Sequence, residues 1–249
     1  MSSIFCYDKG ARQRRYTQVF FARSRVQYVE FASRLKTRIM NITSSIPRMT
    51  AIFQRLHVVL RGHFALKAPR THALYYVAKE MIAADPRLLS QLCLHLALQF
   101  RDDDIETVVA PAVLGGPLAH SLAWHLTHMY GRTVHSVIAD KISKKRFIIG
   151  RSYAQYVRGR RVLIADDVIT EGTSVRALMK AVWAVAGETI AVGILIDRGD
   201  PDTRLLDTER FVSLVRLRLP TYQAGQGTCP GCQKNMPLST THGHGRRHS

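Results

Sequence analysis

Residues 162–174 have the sequence VLIADDVITEGTS. An apolar, strand-like run leads into two adjacent acids, Asp166 and Asp167, and then through a small-residue loop into a helical pattern. In a parallel α/β sheet, ligands bind beyond the carboxyl ends of the strands. The free N–H groups at a helix N-terminus bind anions, and Gly172 permits close backbone approach. The stretch therefore predicts a sugar-phosphate pocket in an α/β fold. The loop hydroxyls available to a phosphate are those of Thr170, Thr173 and Ser174.

The two adjacent carboxylates do not suit the phosphate itself, because they would repel it. They suit ribose hydroxyls, which donate hydrogen bonds to carboxylate oxygens, or a positively charged transition state. The alternative is that Asp166 and Asp167 form a helix N-cap turn that binds no ligand. The complete run of strand, acid pair and small-residue loop favours the ligand site.

Strand-like and helix-like segments alternate on both sides of this stretch, which indicates parallel pairing with right-handed crossovers. The predicted strands are 106–110, 133–139, 161–165 and 189–196, and the predicted helices are 86–99, 116–129 and 174–185. Upstream, the pattern predicts a helix over 47–62 and a strand pair, 64–66 and 73–78, around a turn at Pro69. The expected architecture is a parallel sheet flanked by helices, with a small N-terminal hood.

The charge distribution divides the 249-residue chain into three parts. The net charge is +18, and residues 1–62 hold 12 Lys or Arg against two acids. We expect a basic N-terminal extension over 1–46, with a helix at about 17–40, a domain over 47–222, and an irregular Cys/His-containing tail over 223–249. Nucleic acid would then bind only through the basic ends. Apolar runs such as 190–196 are too short for a membrane span, and four cysteines fit the cytoplasm.

A second strand-to-helix turn precedes the acid pair by one crossover. Residues 110–119 have the sequence APAVLGGPLA, in which adjacent glycines suggest close backbone approach to an anion or, alternatively, tight helix packing. Between the two turns, residues 140–161 carry eight Lys or Arg against one acid. Such a run is either a solvated face or a mobile basic loop that stabilises an anionic leaving group.

The 162–174 stretch resembles the phosphoribosyl-pyrophosphate signature of type I phosphoribosyltransferases, most like the orotate enzymes. By this resemblance, Asp166 and Asp167 hold the ribose diol, residues 170–174 hold the 5′-phosphate, and Glu171 departs from the small residue usual there. The resemblance also implies a catalytic lysine on the basic loop. The candidates for that role are Lys141 first, then Lys144 and Lys145. The implied pyrophosphate loop comprises Val113, Leu114, Gly115 and Gly116.

Three further matches carry the choice of base. Residues 64–70 (FALKAPR) resemble a family segment in which Lys67 would reach the substrate. Tyr75 and Tyr76 stand where orotate enzymes carry aromatics beside the base, and strand packing is the alternative. Arg198 resembles the orotate-contacting arginine, because a guanidinium pairs bidentately with a carboxylate. An ordinary ion pair of Arg198 with Asp197 or Asp200 is the alternative.

The resemblance implies transfer of phosphoribose from phosphoribosyl pyrophosphate to orotate, with Mg²⁺, in a homodimer. One rival is a phosphoribosyltransferase for a purine or another base, and the other is a non-catalytic regulator that binds nucleic acid. In the tail, Cys229 and Cys232 precede His242, His244 and His248. This irregular spacing is weak evidence for zinc, and a similar Cys-Pro-x-Cys in a bacterial subgroup indicates kinship, so no metal ligand is predicted.

Overall fold

The computed structural model describes residues 58–66, 70–143, 146–199, 206 and 208–243. Several sequence predictions lie outside these residues. They are the extension over 1–46 with its helix, Lys67 and the Pro69 turn, Lys144 and Lys145 in the basic loop, and His244 and His248 in the tail.

A six-stranded sheet forms the centre of the described chain, with strand order β5-β4-β3-β6-β7-β8. All neighbours are parallel except β4 and β5, which form an antiparallel hairpin. The parallel α/β prediction is confirmed. The strands are β3 (Thr107–Pro111), β4 (His135–Ser143), β5 (Arg146–Ile149), β6 (Arg161–Ile169), β7 (Glu188–Asp197) and β8 (Arg210–Arg216).

A second sheet contains three antiparallel strands in the order β1-β2-β9, and we call it the hood sheet. Its strands are β1 (Val59–Ala65), β2 (Thr71–Val77) and β9 (Thr221–Gln223). The predicted helix over 47–62 is wrong at its C-terminal end. Val59 instead pairs with Val77, because β-branched side chains pack well on a pleated surface and both valines are buried there.

Helices cover both faces of the six-stranded sheet, as its largely apolar, buried central strands require. On one face, α2 and α3 pack with β3, β6 and β7; on the other, α5 packs with β5. The Asp85 side chain caps α2 through the N–H groups of Arg87 and Leu88. The described helices are α1 (Glu80–Ala84), α2 (Pro86–Gln99), α3 (Gly115–Tyr130), α4 (Arg151–Ala154), α5 (Thr173–Ala184) and α6 (Pro230–Gln233).

Two boundaries differ from prediction in ways that affect the site. Strand β6 continues to Ile169, so the acid pair lies inside the strand, because Asp166 and Val168 keep their pairing with β7. The chain after residue 222 was expected to be irregular. It instead returns to the hood sheet through β9 and the short α6. Within the described ranges, no helix is long and apolar enough to cross a membrane.

Candidate active site

The loop between β6 and α5 encloses a small cavity. Gly172 is the N-cap of α5 with a left-handed φ of 72°, and no side chain caps this helix. The first-turn N–H groups therefore lack intrahelical acceptors and can bind an anion. The cavity, about 120 Å³, suits one group such as a phosphate, since sites for larger ligands measure about 300–1,000 Å³. Its lining comprises Asp166, Val168, Ile169 and residues 170–175.

Two side chains on this loop bear on the sequence predictions. Glu171 is exposed, so its charge faces solvent and can be screened from a bound phosphate. The N-cap alternative for the acid pair is wrong, because the cap is Gly172 and both acids lie within β6. A Cβ at Gly199, after β7, would lie 2.7 Å from the Thr170 carbonyl oxygen, so close packing by a neighbouring segment also shapes the loop.

The acid pair is buried, with only 7% of Asp166 and 8% of Asp167 exposed. Asp166 lines the phosphate cavity, and its Oδ1 accepts from the Asp167 N–H at 2.9 Å. Asp167 Oδ1 accepts from the Val168 N–H at 2.7 Å. Burial, reinforced by the neighbouring Asp167 charge, raises the pKa of Asp166 to about 7. Asp166 is therefore costly to keep ionised, and perturbed carboxyls of this kind are common at functional sites.

Lys79 joins this site, and the sequence predictions missed it. Its Nζ lies 2.8 Å from Asp167 Oδ2 and 3.1 Å from Oδ1. Burial opposes the charge of Lys79, but the attraction of Asp167 outweighs it, so the pKa of the lysine is raised. Lys79 follows β2 of the hood sheet, whereas Asp167 is on the central sheet, 88 positions later. The sequence around Lys79, VAKEM at residues 77–81, contains no pattern that predicts this contact.

We expect Lys79→Gln to lower kcat/KM for a phosphoribosyl donor by about 10–100-fold, the usual range for one charge-assisted contact. The variant should also shift the acidic limb of the pH–rate profile to higher pH, because Lys79 lowers the pKa of Asp166. The measurement is kcat/KM between pH 5.5 and 9. Lys180→Gln, an exposed lysine on α5, is the matched control. An unmoved acidic limb would contradict this role for Lys79.

Arg198 follows the carboxyl end of β7 and is largely withdrawn from solvent. Its Nε is buried and has no hydrogen-bond partner among the described residues, and burial lowers the pKa of the guanidinium. Of the two alternative partners, Asp197 forms an ion pair with Arg216, whose Nε lies 3.3 Å from Asp197 Oδ2, and Asp200 lies outside the described residues. A buried, unpaired donor is costly, so Arg198 is suited to an anionic ligand.

Tyr75 and Tyr76 have different environments, because successive residues of a strand point to opposite faces. Tyr75 packs against the main hydrophobic core, as the packing alternative expects. Tyr76 lies beside Phe64, with ring centroids 5.5 Å apart, and interacts electrostatically with Lys79 and Arg198. Its pKa is raised, chiefly by burial. Tyr76 is therefore the one of the two that shares the site with Arg198.

The second loop, 112–114, connects β3 to α3 beside the acid pair's strand. The Ala112–Val113 peptide is cis, and no side chain caps α3 at Leu114. Both glycines are explained by packing: a Cβ at Gly115 would lie 2.8 Å from Pro111 Cδ, and one at Gly116 would lie 3.0 Å from Ile138 Cδ1. The loop backbone, rather than these glycines, would meet an anion.

The basic segment begins as the β4–β5 hairpin. Lys141 is exposed and its Nζ lies 5.9 Å from the centroid of the Phe147 ring. The Ala112 N–H donates to the Ala139 carbonyl at 2.9 Å, which holds the hairpin base against loop 112–114. Strands β3, β4, β6 and β7 are parallel, so their carboxyl ends lie at the same end of the sheet. The loops after β3 and β6 are therefore at that end, together with Lys141 and Arg198.

A family model described as "Phosphoribosyl transferase domain" matches residues 80–216. The chain belongs to the phosphoribosyltransferase family. An orotate phosphoribosyltransferase of Caldanaerobacter subterraneus subsp. tengcongensis is 30% identical over 191 residues, which cover 77% of this chain and 94% of that protein. The orotate phosphoribosyltransferase of Caldicellulosiruptor bescii is 29% identical over 187 residues, which cover 75% of this chain and 92% of that protein. The type I phosphoribosyltransferase resemblance is confirmed.

Solved structures agree on the phosphoribosyltransferase fold. The orotate phosphoribosyltransferase of Aeropyrum pernix has a TM-score of 0.54 at 22% identity, covering 68% of this chain and 93% of that one. The Mycobacterium tuberculosis H37Rv orotate phosphoribosyltransferase, in complex with inorganic phosphate, has a TM-score of 0.52 at 24% identity. The match covers 67% of this chain and 92% of that one. Because both identities are below 25%, the similarity to these solved structures establishes the fold of this chain.

Proposed function

We propose that this chain transfers the 5-phosphoribosyl group of phosphoribosyl pyrophosphate to orotate, forming orotidine 5′-phosphate and pyrophosphate. The observation that carries the choice of base is the buried, unpartnered Nε of Arg198 beside Tyr76. Orotate offers a carboxylate for the guanidinium and a flat ring for the tyrosine. Purines lack that carboxylate. The sequence relatives named as orotate phosphoribosyltransferases support the same choice.

The described contacts support one order of the substrate groups along the pocket. The Asp167–Lys79 ion pair links the acid pair to Tyr76, which interacts with both Lys79 and Arg198. In this proposal the 5′-phosphate occupies the loop cavity, the ribose hydroxyls donate to Asp166 and Asp167, and the base lies between Tyr76 and Arg198. The reacting atoms, the ribose C1′ and one nitrogen of the base, then meet near Lys79.

The residues act by orientation and charge. Breaking the C1′–O bond ahead of the new C1′–N bond places positive charge on the ribose, and the acid pair is positioned to stabilise it. The amides of Val113 and Leu114, together with Lys141, would receive the departing pyrophosphate. Holding both substrates in one geometry lowers the entropic part of the barrier. Nothing in this scheme requires a protein nucleophile.

Mg²⁺ and a homodimer belong to the same proposal. The carboxyl oxygens of Asp166 and Asp167 are hard donors of the kind that Mg²⁺ prefers, although substrate oxygens and waters would hold most of its shell. When bound, the ion offsets the pyrophosphate charge. In a homodimer, the basic hairpin of one subunit would complete the pocket of the other. The cytoplasmic location stays a prediction.

A base panel tests the proposed function. Purified protein with Mg²⁺ and phosphoribosyl pyrophosphate should form nucleotide and pyrophosphate with orotate. We expect at least about 10³-fold lower kcat/KM with uracil, adenine or hypoxanthine, because a site built for a charged group rejects analogues that lack it. Preference for a purine would favour the first rival. Steeply salt-dependent nucleic-acid binding without turnover would favour the regulator.

A further inference from the structure

Four metal-ligating side chains meet on the hood sheet, away from the sugar-phosphate pocket. They are His63 on β1, His72 on β2, and Cys229 and Cys232 around the short α6. One ligand atom from each lies within 4.8 Å of the ligand atoms of the other three. Neither histidine is in the tail, where the sequence suggested partners for the cysteines. The tail residue His242 instead lies near Tyr76, with ring centroids 6.0 Å apart.

Four of the six separations between ligand atoms are close to those expected around one tetrahedral ion. His63 Nε2 lies 3.4 Å from Cys229 Sγ, 3.7 Å from Cys232 Sγ and 3.0 Å from His72 Nδ1. Cys232 Sγ lies 3.3 Å from His72 Nδ1. Zinc bonds of about 2.0–2.1 Å to nitrogen and 2.3 Å to sulfur imply tetrahedral edges of roughly 3.3–3.8 Å. These four separations lie within about 0.3 Å of that range, and the remaining two, from Cys229 to Cys232 and to His72, lie within 4.8 Å.

The surroundings of His63 fix its orientation toward the cluster. Its Nδ1 lies 2.8 Å from the Met236 carbonyl oxygen, so Nδ1–H donates there and Nε2 presents its lone pair to the other three ligands. Metal-binding histidines are commonly held by such a second hydrogen bond. A Cβ at Gly231 would lie 2.6 Å from His63 Cδ2, so only glycine lets the Cys-Pro-Gly-Cys turn pack on this ring.

We propose that His63, His72, Cys229 and Cys232 bind one structural zinc ion. The donor set of two thiolates and two imidazoles is typical of structural zinc, and all four positions come from protein, which leaves none for a substrate. The ion would join β1 and β2 to the chain after residue 228. That chain reaches the pocket, because a Gly243 backbone group is hydrogen-bonded to Tyr76. Zinc thereby stabilises one wall of the base site without taking part in transfer.

The experiment is zinc quantification on the full chain, purified with its thiols kept reduced. We expect about one zinc per chain, and less than a tenth of that in Cys232→Ser, because the exposed Cys232 supplies one of four ligands. Co²⁺ loading of the wild type should give the visible absorption of a tetrahedral thiolate site, absent from the variant. The proposal would be overturned if the wild-type protein bound no metal after zinc addition. It would also be overturned if Cys229 and Cys232 formed a disulfide.

Two matched variants separate this site from the ligands suggested by sequence. Cys6→Ser, outside the described residues, and His242→Ala, in the tail, should both keep the full zinc content. Loss of zinc from His242→Ala would contradict the proposed ligand set. Circular dichroism identifies a variant that fails to fold. In that case, the deciding measurement is limited proteolysis of the wild-type protein with and without zinc. Zinc should protect the tail from cleavage, and equal cleavage under both conditions would contradict the proposal.

Discussion

Replacing both Asp166 and Asp167 with Asn should reduce phosphoribosyl transfer by at least about 10³-fold, comparable to removing the main electrostatic stabiliser of a transition state. The substitution keeps the side-chain shape and leaves Oδ1 able to accept the backbone N–H bonds seen at both positions. It removes the negative charges that would stabilise positive ribose. The measurement is kcat and kcat/KM with Mg²⁺, orotate and phosphoribosyl pyrophosphate. Unchanged turnover would refute the pocket.

The single variant Asp166→Asn should gain stability while it loses activity. Burial raises the pKa of Asp166 to about 7 from the 3.8 of an unperturbed carboxyl. A carboxyl whose pKa is raised by folding makes its full contribution to stability below its unfolded pKa. That contribution is lost as the pH rises through the folded pKa. At pH 8 we expect Asn to add about 1–3 kcal/mol to the free energy of unfolding, since each pKa unit corresponds to about 1.4 kcal/mol.

Thermal unfolding at two pH values checks this sign. At pH 8 the melting temperature of Asp166→Asn should exceed that of the wild type by about 2–4 °C per kcal/mol. The difference should shrink to well under about 1 kcal/mol near pH 4, where the folded carboxyl is protonated and the unfolded one, with a pKa of 3.8, is only partly ionised. An equal gain at both pH values would mean that charge burial is not its cause. Asp102→Asn, which removes an exposed acid, is the control.

Arg198→Ala should lower kcat/KM for orotate by about 10²–10³-fold, because truncating one partner of a buried charge pair costs about 2–5 kcal/mol. Its effect on the KM for phosphoribosyl pyrophosphate should stay within about threefold, since the loop cavity is formed by other residues. Arg198→Lys should recover only part of the loss, because an ammonium cannot pair bidentately with a carboxylate. Steady-state kinetics with each substrate varied in turn measures the split.

Arg210→Ala is the matched control for Arg198. Arg210 begins β8, at the opposite edge of the sheet from the pocket, and forms an exposed ion pair with Asp103. Such surface pairs are worth about 0–1 kcal/mol, so orotate kinetics should not change. If Arg198→Ala instead affected both substrates equally, Arg198 would be a structural residue and the choice of orotate would lose its main support.

Local sequence was sufficient to predict the loop that we propose holds the phosphate. Anion binding by the loop after β6 depends on neighbours in the chain: an apolar strand, a glycine with positive φ, and free amides at the next helix. Alternating segments also fixed the parallel sheet, because parallel strands need crossovers. The helix over 86–99 was predicted to the residue, since Asp85 and Pro86 mark its start through local hydrogen bonding.

Only the tertiary structure brought together the groups whose partners are far away in the chain. Lys79 meets Asp167 across 88 positions, and His63 meets Cys229 across 166. Tyr76 and Tyr75 look alike in sequence, yet burial on opposite faces of β2 gives only Tyr76 to the pocket. The sequence by itself determined a parallel α/β phosphoribosyltransferase with a glycine-containing loop between β6 and α5, because backbone periodicity and turn chemistry act over a few residues. Side-chain partners across two sheets follow from packing, which no local pattern encodes.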